Sequence, residues 1–344
     1  MGKYRSVLFG WLILVVWAGS ACAPSAASSD GSNPAVRLGY FPNVTHAPAI
    51  VGVVEGFIRD ELGETELRTS TFNAGPDAVE ALFSDALDLS FIGPNPAINA
   101  YAQSGGDAIR IVSGSTSGGA ALIVRPDIDS PSDLVGTRLA TPQLGNTQDV
   151  ALRAWLKEQG LRSDLEGGGE VSVVPQSNPQ TLETFRSGDI DGAWAPEPWA
   201  TRLVLEGGGK VLVDEADLWP QGRFVTTHLI VRTEFLAEHP DLVEAVLRGV
   251  VRAVDFANDN PARAQQIVND NIAALTGSPL AAETMVGAWS NLTFTVDPIA
   301  SSLRESAEDA VAVGLLEPVD LTGIYSLNLL NDLLRAMERP EVSS

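Results

Sequence analysis

The residues of this 344-residue chain best suited to chemistry are polar, mostly uncharged and gathered where helices are predicted to begin. Asn43-Val44-Thr45-His46 and Gly145-Asn146-Thr147-Gln148 each stand between an extended run and a helical one, while Gly93-Pro94-Asn95-Pro96 closes an extended run as a proline-bracketed loop. A helix start leaves backbone N–H groups free and concentrates the positive end of the helix dipole, so such ends hold small oxyanions. Gly114-Ser115-Thr116-Ser117-Gly118-Gly119 adds a dense run of hydroxyl and N–H donors. The candidate ligand contacts are therefore Asn43, Thr45, His46, Gly93, Asn95, Ser115, Thr116, Gly145, Asn146, Thr147 and Gln148. Trp194 offers an aromatic wall. Glu197 either pairs with a structural arginine or meets a positive group on the ligand. Each residue also has a purely structural use: Asn and Thr cap helices, Asn between prolines serves its own turn, and a strand-end Trp is commonly core.

Catalytic patterns are not met. Gly114 to Gly118 has the spacing of a nucleophile elbow, but Thr116 stands where that motif requires serine. The histidines, His46, His228 and His239, lack metal-binding spacing, and His239-Pro240 reads as a helix boundary. No Walker loop occurs, and no G-x-G-x-x-G follows a strand. No metal, cofactor or catalytic residue is expected.

The elements that must position these groups alternate as in an α/β fold. Val36 to Tyr40 alternates as a strand and leads to a helix through Val54, with Pro48 in its first turn where proline is tolerated. Strands near 67–72, 87–92 and 109–113 follow, with a helix from Asp77 between the first two. The middle of the chain repeats the pattern: strands at 138–140, 171–174 and 190–194, with helices after Asn146 and from Thr181 to Arg186. Beyond Val231 the chain reads as almost wholly helical, with starts at Pro240-Asp241 and Asn260-Pro261. Ser84-Asp85-Ala86-Leu87-Asp88-Leu89-Ser90-Phe91 also lines up with Ser187-Gly188-Asp189-Ile190-Asp191-Gly192-Ala193-Trp194. That echo predicts two lobes of like topology, with ligands bound beyond the carboxyl ends of their strands.

The ends and the composition set the compartment. Lys3 and Arg5 precede an uncharged stretch from Val7 to Ala18, the length of a signal-peptide core and short of the ~20 apolar residues that span a membrane. Gly19-Ser20-Ala21 before Cys22 resembles a bacterial lipobox, which implies a signal peptide over 1–21, lipidation of Cys22 and attachment to the extracytoplasmic face of the cell membrane. Residues 22–34 carry no large apolar side chain and read as a flexible tether. Cys22 is the only cysteine, so no disulfide framework forms within the chain. The length favours two lobes over one core. The formal net charge of −22 excludes nucleic acid as a natural partner.

At Gly39-Tyr40-Phe41-Pro42-Asn43 with Glu55-Gly56-Phe57, at Asp88 to Pro96, and at Gly192-Ala193-Trp194 leading into Glu197-Pro198-Trp199, the chain resembles the nitrate, sulfonate and taurine family of periplasmic-type binding proteins. The resemblance runs from about Val36 to Met337. It implies a two-lobed, type II-like periplasmic-binding-protein fold, each lobe a mixed sheet flanked by helices, closing on one ligand in the cleft between. It puts the crossovers near Ser113 to Gly118 and Gly222 to Thr227, adding Thr227 to the candidate contacts. Lobe one then combines 35–113 with 228–344, and lobe two is 114–227. It further implies a lipid-anchored binding component of an ABC importer, with a permease and an ATPase as partners. The solute expected is an alkanesulfonate or taurine; nitrate and a thiamine pyrimidine precursor are the alternatives. A pyrimidine-precursor-synthase-like enzyme, which uses a histidine as reagent, is the alternative of another class, and the secretion signal argues against it.

Overall fold

The computed structural model describes residues 35–344; the predicted signal peptide, the tether and Cys22 lie outside the described residues. In chain order the strands are β1 (Val36–Tyr40), β2 (Leu67–Thr71), β3 (Leu89–Ile92), β4 (Ile109–Gly118), β5 (Ala120–Val124) and β6 (Arg138–Thr141). There follow β7 (Ser172–Pro175), β8 (Gly192–Pro196), β9 (Lys210–Asp214), β10 (Val225–Arg232) and β11 (Leu292–Phe294). They form two mixed sheets, ordered β11-β4-β10-β3-β1-β2 and β7-β6-β8-β5-β9.

Helices flank both sheets. Those in the first two-thirds of the chain are α1 (Ala47–Val54), α2 (Phe57–Leu62), α3 (Gly75–Phe83), α4 (Pro94–Gln103), α5 (Thr147–Glu158), α6 (Asn178–Ser187) and α7 (Trp199–Leu205). The last third is α8 (Thr233–Glu238), α9 (Pro240–Asp259), α10 (Pro261–Thr276), α11 (Ala282–Ser290), α12 (Ala300–Ala312) and α13 (Asn328–Ala336). It is helical as expected, save for β11, whose three residues give too short a run to read as a strand.

The internal echo is structural. In the first sheet Asp88 N–H donates to Arg37 O (2.9 Å), Arg37 N–H donates to the Asp88 carboxylate (2.8 Å), and Arg232 N–H donates to Asp88 O (2.9 Å). In the second, Asp191 N–H donates to Arg138 O (2.8 Å), Arg138 N–H to the Asp191 carboxylate (2.8 Å), and Arg125 N–H to Asp191 O (2.9 Å). The same carboxylate thus locks the same three strands in each lobe, and β2-β1-β3-β10 corresponds to β7-β6-β8-β5. Asp88 is 1% exposed, which is tolerable for a carboxylate only because its oxygens accept backbone and arginine donors.

Burial follows the sequence pattern. β3 and β5 are buried along their whole length, as central strands covered on both faces must be. In α9 the residues Leu242, Val243, Val246, Leu247, Val250 and Val254 recur at three- and four-residue spacing and form one buried stripe, with α9 packed against α1, α2 and β4.

The hydroxyl-rich run from Gly114 to Gly118 completes β4, with Gly114 beside His228, Ser117 beside Val225 and Gly118 beside Leu292. Glycine stands at 114 because another backbone crosses there; a Cβ would lie 2.2 Å from Asp297 O. The chain passes from the first sheet to the second at Gly118-Gly119, and returns between β9 and β10.

Candidate functional site

Five parallel strands, β1, β2, β3, β6 and β7, each run into a helix, and the helices start around one cavity between the lobes. The space between atoms there is about 410 Å³ with its open mouth counted in. Its first-lobe wall holds Phe41, Asn43, Thr45 and His46 at the approach to α1, Asn73-Ala74-Gly75 at the start of α3, Gly93 at that of α4, and Thr226 and Thr227 on β10. The second-lobe wall holds Asn146, Thr147 and Gln148 at the start of α5, Asn178 at that of α6, and Pro142 and Pro196. The residues before α1, α3, α4 and α6 make no side-chain cap. Only α5 is capped, by Asn146 Oδ1 accepting from Gln148 N–H at 3.3 Å.

Among the described residues no Lys, Arg, Asp or Glu lines this cavity. His46 does, but it is 3% exposed and burial pushes its imidazole down to about 3, so it is neutral across the physiological range. Its Nδ1 accepts from Phe41 N–H at 3.3 Å, which leaves the proton on Nε2 as a donor. The cavity therefore presents dipoles and neutral donors and carries no formal charge. Thr147 Oγ1 is buried without a hydrogen-bond partner at the first residue of α5. It faces Gly93 across the cleft so closely that a Cβ on residue 93 would lie 2.5 Å from it. An orphaned hydroxyl at a helix N-terminus, inside a cavity ringed by four uncapped helices, is a site that wants an acceptor oxygen.

Asn43, Thr45, His46, Gly93, Asn146, Thr147, Gln148 and Thr227 thus come together, while the other six sequence candidates stand elsewhere. Asn95 Nδ2 donates to Ser306 O at 3.0 Å, so its side chain fastens α4 to α12. Thr116 Oγ1 donates to Thr45 O at 2.7 Å, and Ser115 Oγ is buried in β4 without a partner, outside the cavity lining. Gly145 lies outside the lining, and its N–H donates to Asp149 Oδ2 at 3.0 Å.

Trp194 is not an aromatic wall. It is fully buried in the second lobe, packed on Trp155 with ring centroids 6.1 Å apart, and its Nε1–H donates to Glu215 at 2.6 Å. Burial pushes that Glu215 carboxyl up to about 7. Among the described residues Glu197 pairs with no arginine. It accepts from Thr201 Oγ1 (2.9 Å), Thr201 N–H (3.1 Å) and Asn291 Nδ2 (2.7 Å), and burial raises its carboxyl above the ordinary range. It lies at a separate void beside Gly119 and Asn291.

Sequence reasoning missed Asn73-Ala74-Gly75 and Asn178. Their signal was present, since Asn-Ala-Gly-Pro after β2 and Ser-Asn-Pro after β7 are further polar helix starts at carboxyl ends of strands.

Three comparisons bear on the lineage. The chain is 30% identical to the taurine-binding periplasmic protein of Escherichia coli K12 over 62% of its own length and 64% of that protein's, just under two thirds of the relative. It is 25% identical to a putative aliphatic sulfonates-binding protein of Bacillus subtilis 168 over 75% of this chain and 76% of that one. Its backbone matches the alkanesulfonate-binding protein SsuA from Xanthomonas axonopodis pv. citri, solved bound to MOPS, with a TM-score of 0.72, 19% identity and coverage of 86% of this chain and 99% of that one. This last likeness shows a shared two-lobed fold. Residues 29–270, which include strands β1 to β10 and all five helix starts around the cavity, match the NMT1-like family, and the chain belongs to that family.

Proposed function

We propose that the chain is the extracytoplasmic solute-binding component of an ABC importer, closing its two lobes on one small organic anion and passing it unaltered to a permease driven by an ATPase. The observation that carries this reading is the ring of helix N-termini around a cavity without formal charge, with Thr147 Oγ1 left unpaired inside it. Each helix end offers about half a positive charge, which suits one negative charge. A sulfonate fits best. It is singly ionised at every relevant pH, its three oxygens accept from N–H and hydroxyl donors, and a short alkyl tail meets Phe41, Pro142 and Pro196. The name of the taurine-binding relative points the same way. The expected pairing of Glu197 with taurine's ammonium has no support in the cavity lining, so the sulfonate head is the recognised group.

Calorimetry against ethanesulfonate, taurine, nitrate and a thiamine pyrimidine tests the reading. One sulfonate should bind per chain, with affinity unchanged between pH 5 and pH 8 because neither His46 nor the ligand titrates there. Heat from the pyrimidine alone would reject the sulfonate, tightening toward pH 5 would put a charged His46 in the site, and a chemically altered solute would reveal an enzyme. We also propose that Cys22 carries lipid and holds the protein at the membrane; among the described residues no helix is long and apolar enough to span one. A single acyl chain anchors only marginally, so a second is needed. Cys22→Ser should move the protein from the membrane to the soluble fraction, and unchanged membrane retention would refute the anchor.

A further inference from the structure

Asn43 lines the cavity from the first lobe, where it precedes the turn into α1. Its Oδ1 accepts from Nε1–H of Trp199, which opens α7 in the second lobe, at 3.2 Å. An indole nitrogen only donates, so the contact allows one orientation of the Asn43 amide. The carbonyl faces Trp199, and both N–H donors remain for the cavity. The indole is itself held: the Arg202 guanidinium stacks over its ring at 4.6 Å, and Arg202 is fixed by Glu206 through hydrogen bonds of 2.7 and 3.0 Å. Trp199 is absent from the cavity lining, so it acts on the ligand through Asn43.

We propose that Trp199 is a positioning residue that couples lobe closure to anion recognition. With the lobes apart, the Asn43 amide is free to turn and can present its carbonyl oxygen, which repels an oxyanion. When the lobes meet, the indole N–H takes that oxygen and turns the NH2 group toward the ligand. The donor set is then complete only in the closed form, which gives the ligand the differential affinity for the two forms that any closure mechanism requires. The inference rests on the cavity being the anion site.

The test is a double-mutant cycle read by calorimetry with ethanesulfonate. Trp199→Phe keeps a ring beneath Arg202 and deletes the N–H donor, and is expected to weaken binding about tenfold, a typical single hydrogen bond. Asn43→Ala should weaken it by more. In the Asn43→Ala background, Trp199→Phe should then cost no further affinity, and the ligand-free melting temperature should be the same with Trp or Phe at 199. Asn43→Ser repeats the cycle if the alanine variant does not fold. Additive losses, or an unchanged affinity in Trp199→Phe, would overturn the coupling while leaving the site in place. No binding by the unmutated chain to ethanesulfonate, taurine or nitrate would remove the site and the coupling with it.

Discussion

Thr147→Asp is expected to weaken sulfonate binding by about a thousandfold while leaving the fold intact. Thr147 is the first residue of α5 and 6% exposed, with its hydroxyl unpaired in the cavity. A carboxylate there stands roughly 4 Å from a bound oxyanion, and two like charges at that distance repel by about 4 kcal/mol at an effective dielectric of 20. That corresponds to about three decades of affinity. The same charge suits the helix, because a negative group in the first turn complements its dipole. Calorimetry should therefore show lost binding while thermal melting without ligand stays near that of the parent. Thr147→Val removes only the donor and should cost about 1–3 kcal/mol of binding. Affinity unchanged in both variants would place the ligand elsewhere.

Asp149→Ala should have the largest effect on stability, a loss of about 3–5 kcal/mol. Asp149 is fully buried, and its carboxylate accepts from Thr141 Oγ1 (2.9 Å), Gly145 N–H (3.0 Å) and Arg153 Nε (3.1 Å). Arg153 is 2% exposed, so removing the carboxylate strands a buried cation. It also frees the turn through Gly145 that delivers Asn146 and Thr147 to the cavity, so weaker anion binding should accompany the lower stability. Chemical denaturation measures the first effect. Replacing Asp149 and Arg153 together by Leu and Met should recover much of the loss, since a buried pair is often exchanged for apolar side chains at little cost. A single-variant loss below about 1 kcal/mol would show that the pair is not a structural requirement.

Much of this was legible in the sequence because it depends on local chemistry. Polar helix starts after extended runs located α1 and α5, and the Asp88 and Asp191 echo identified two lobes of one topology; α4 went unread because Gly93-Pro94-Asn95-Pro96 reads as a loop. The failures are equally specific. Trp194 lies within β8 and Glu197 just after it, where sequence cannot say which face a side chain takes; Trp155 and Glu215 draw the first into the core, while Asn291 and Thr201 hold the second. Asn95 looks like its neighbours in a ligand loop, yet Ser306 O, distant in sequence, claims its amide. The run from Gly114 to Gly119 reads as ligand donors because the backbone that crosses Gly114 at Asp297 comes from the far end of the chain. The Trp199–Asn43 contact was invisible for the same reason.

The central claim is that the oxyanion sits among the helix N-termini between the lobes. A crystal grown with 2-bromoethanesulfonate tests it directly, because bromine gives an anomalous signal at one end of a ligand whose sulfonate lies at the other. The account predicts one bromine peak per chain inside the cavity, with the sulfonate oxygens within hydrogen-bonding distance of Thr147 Oγ1 and Asn43 Nδ2. A single ordered peak outside that cavity, as in the void beside Glu197 and Asn291, would contradict it.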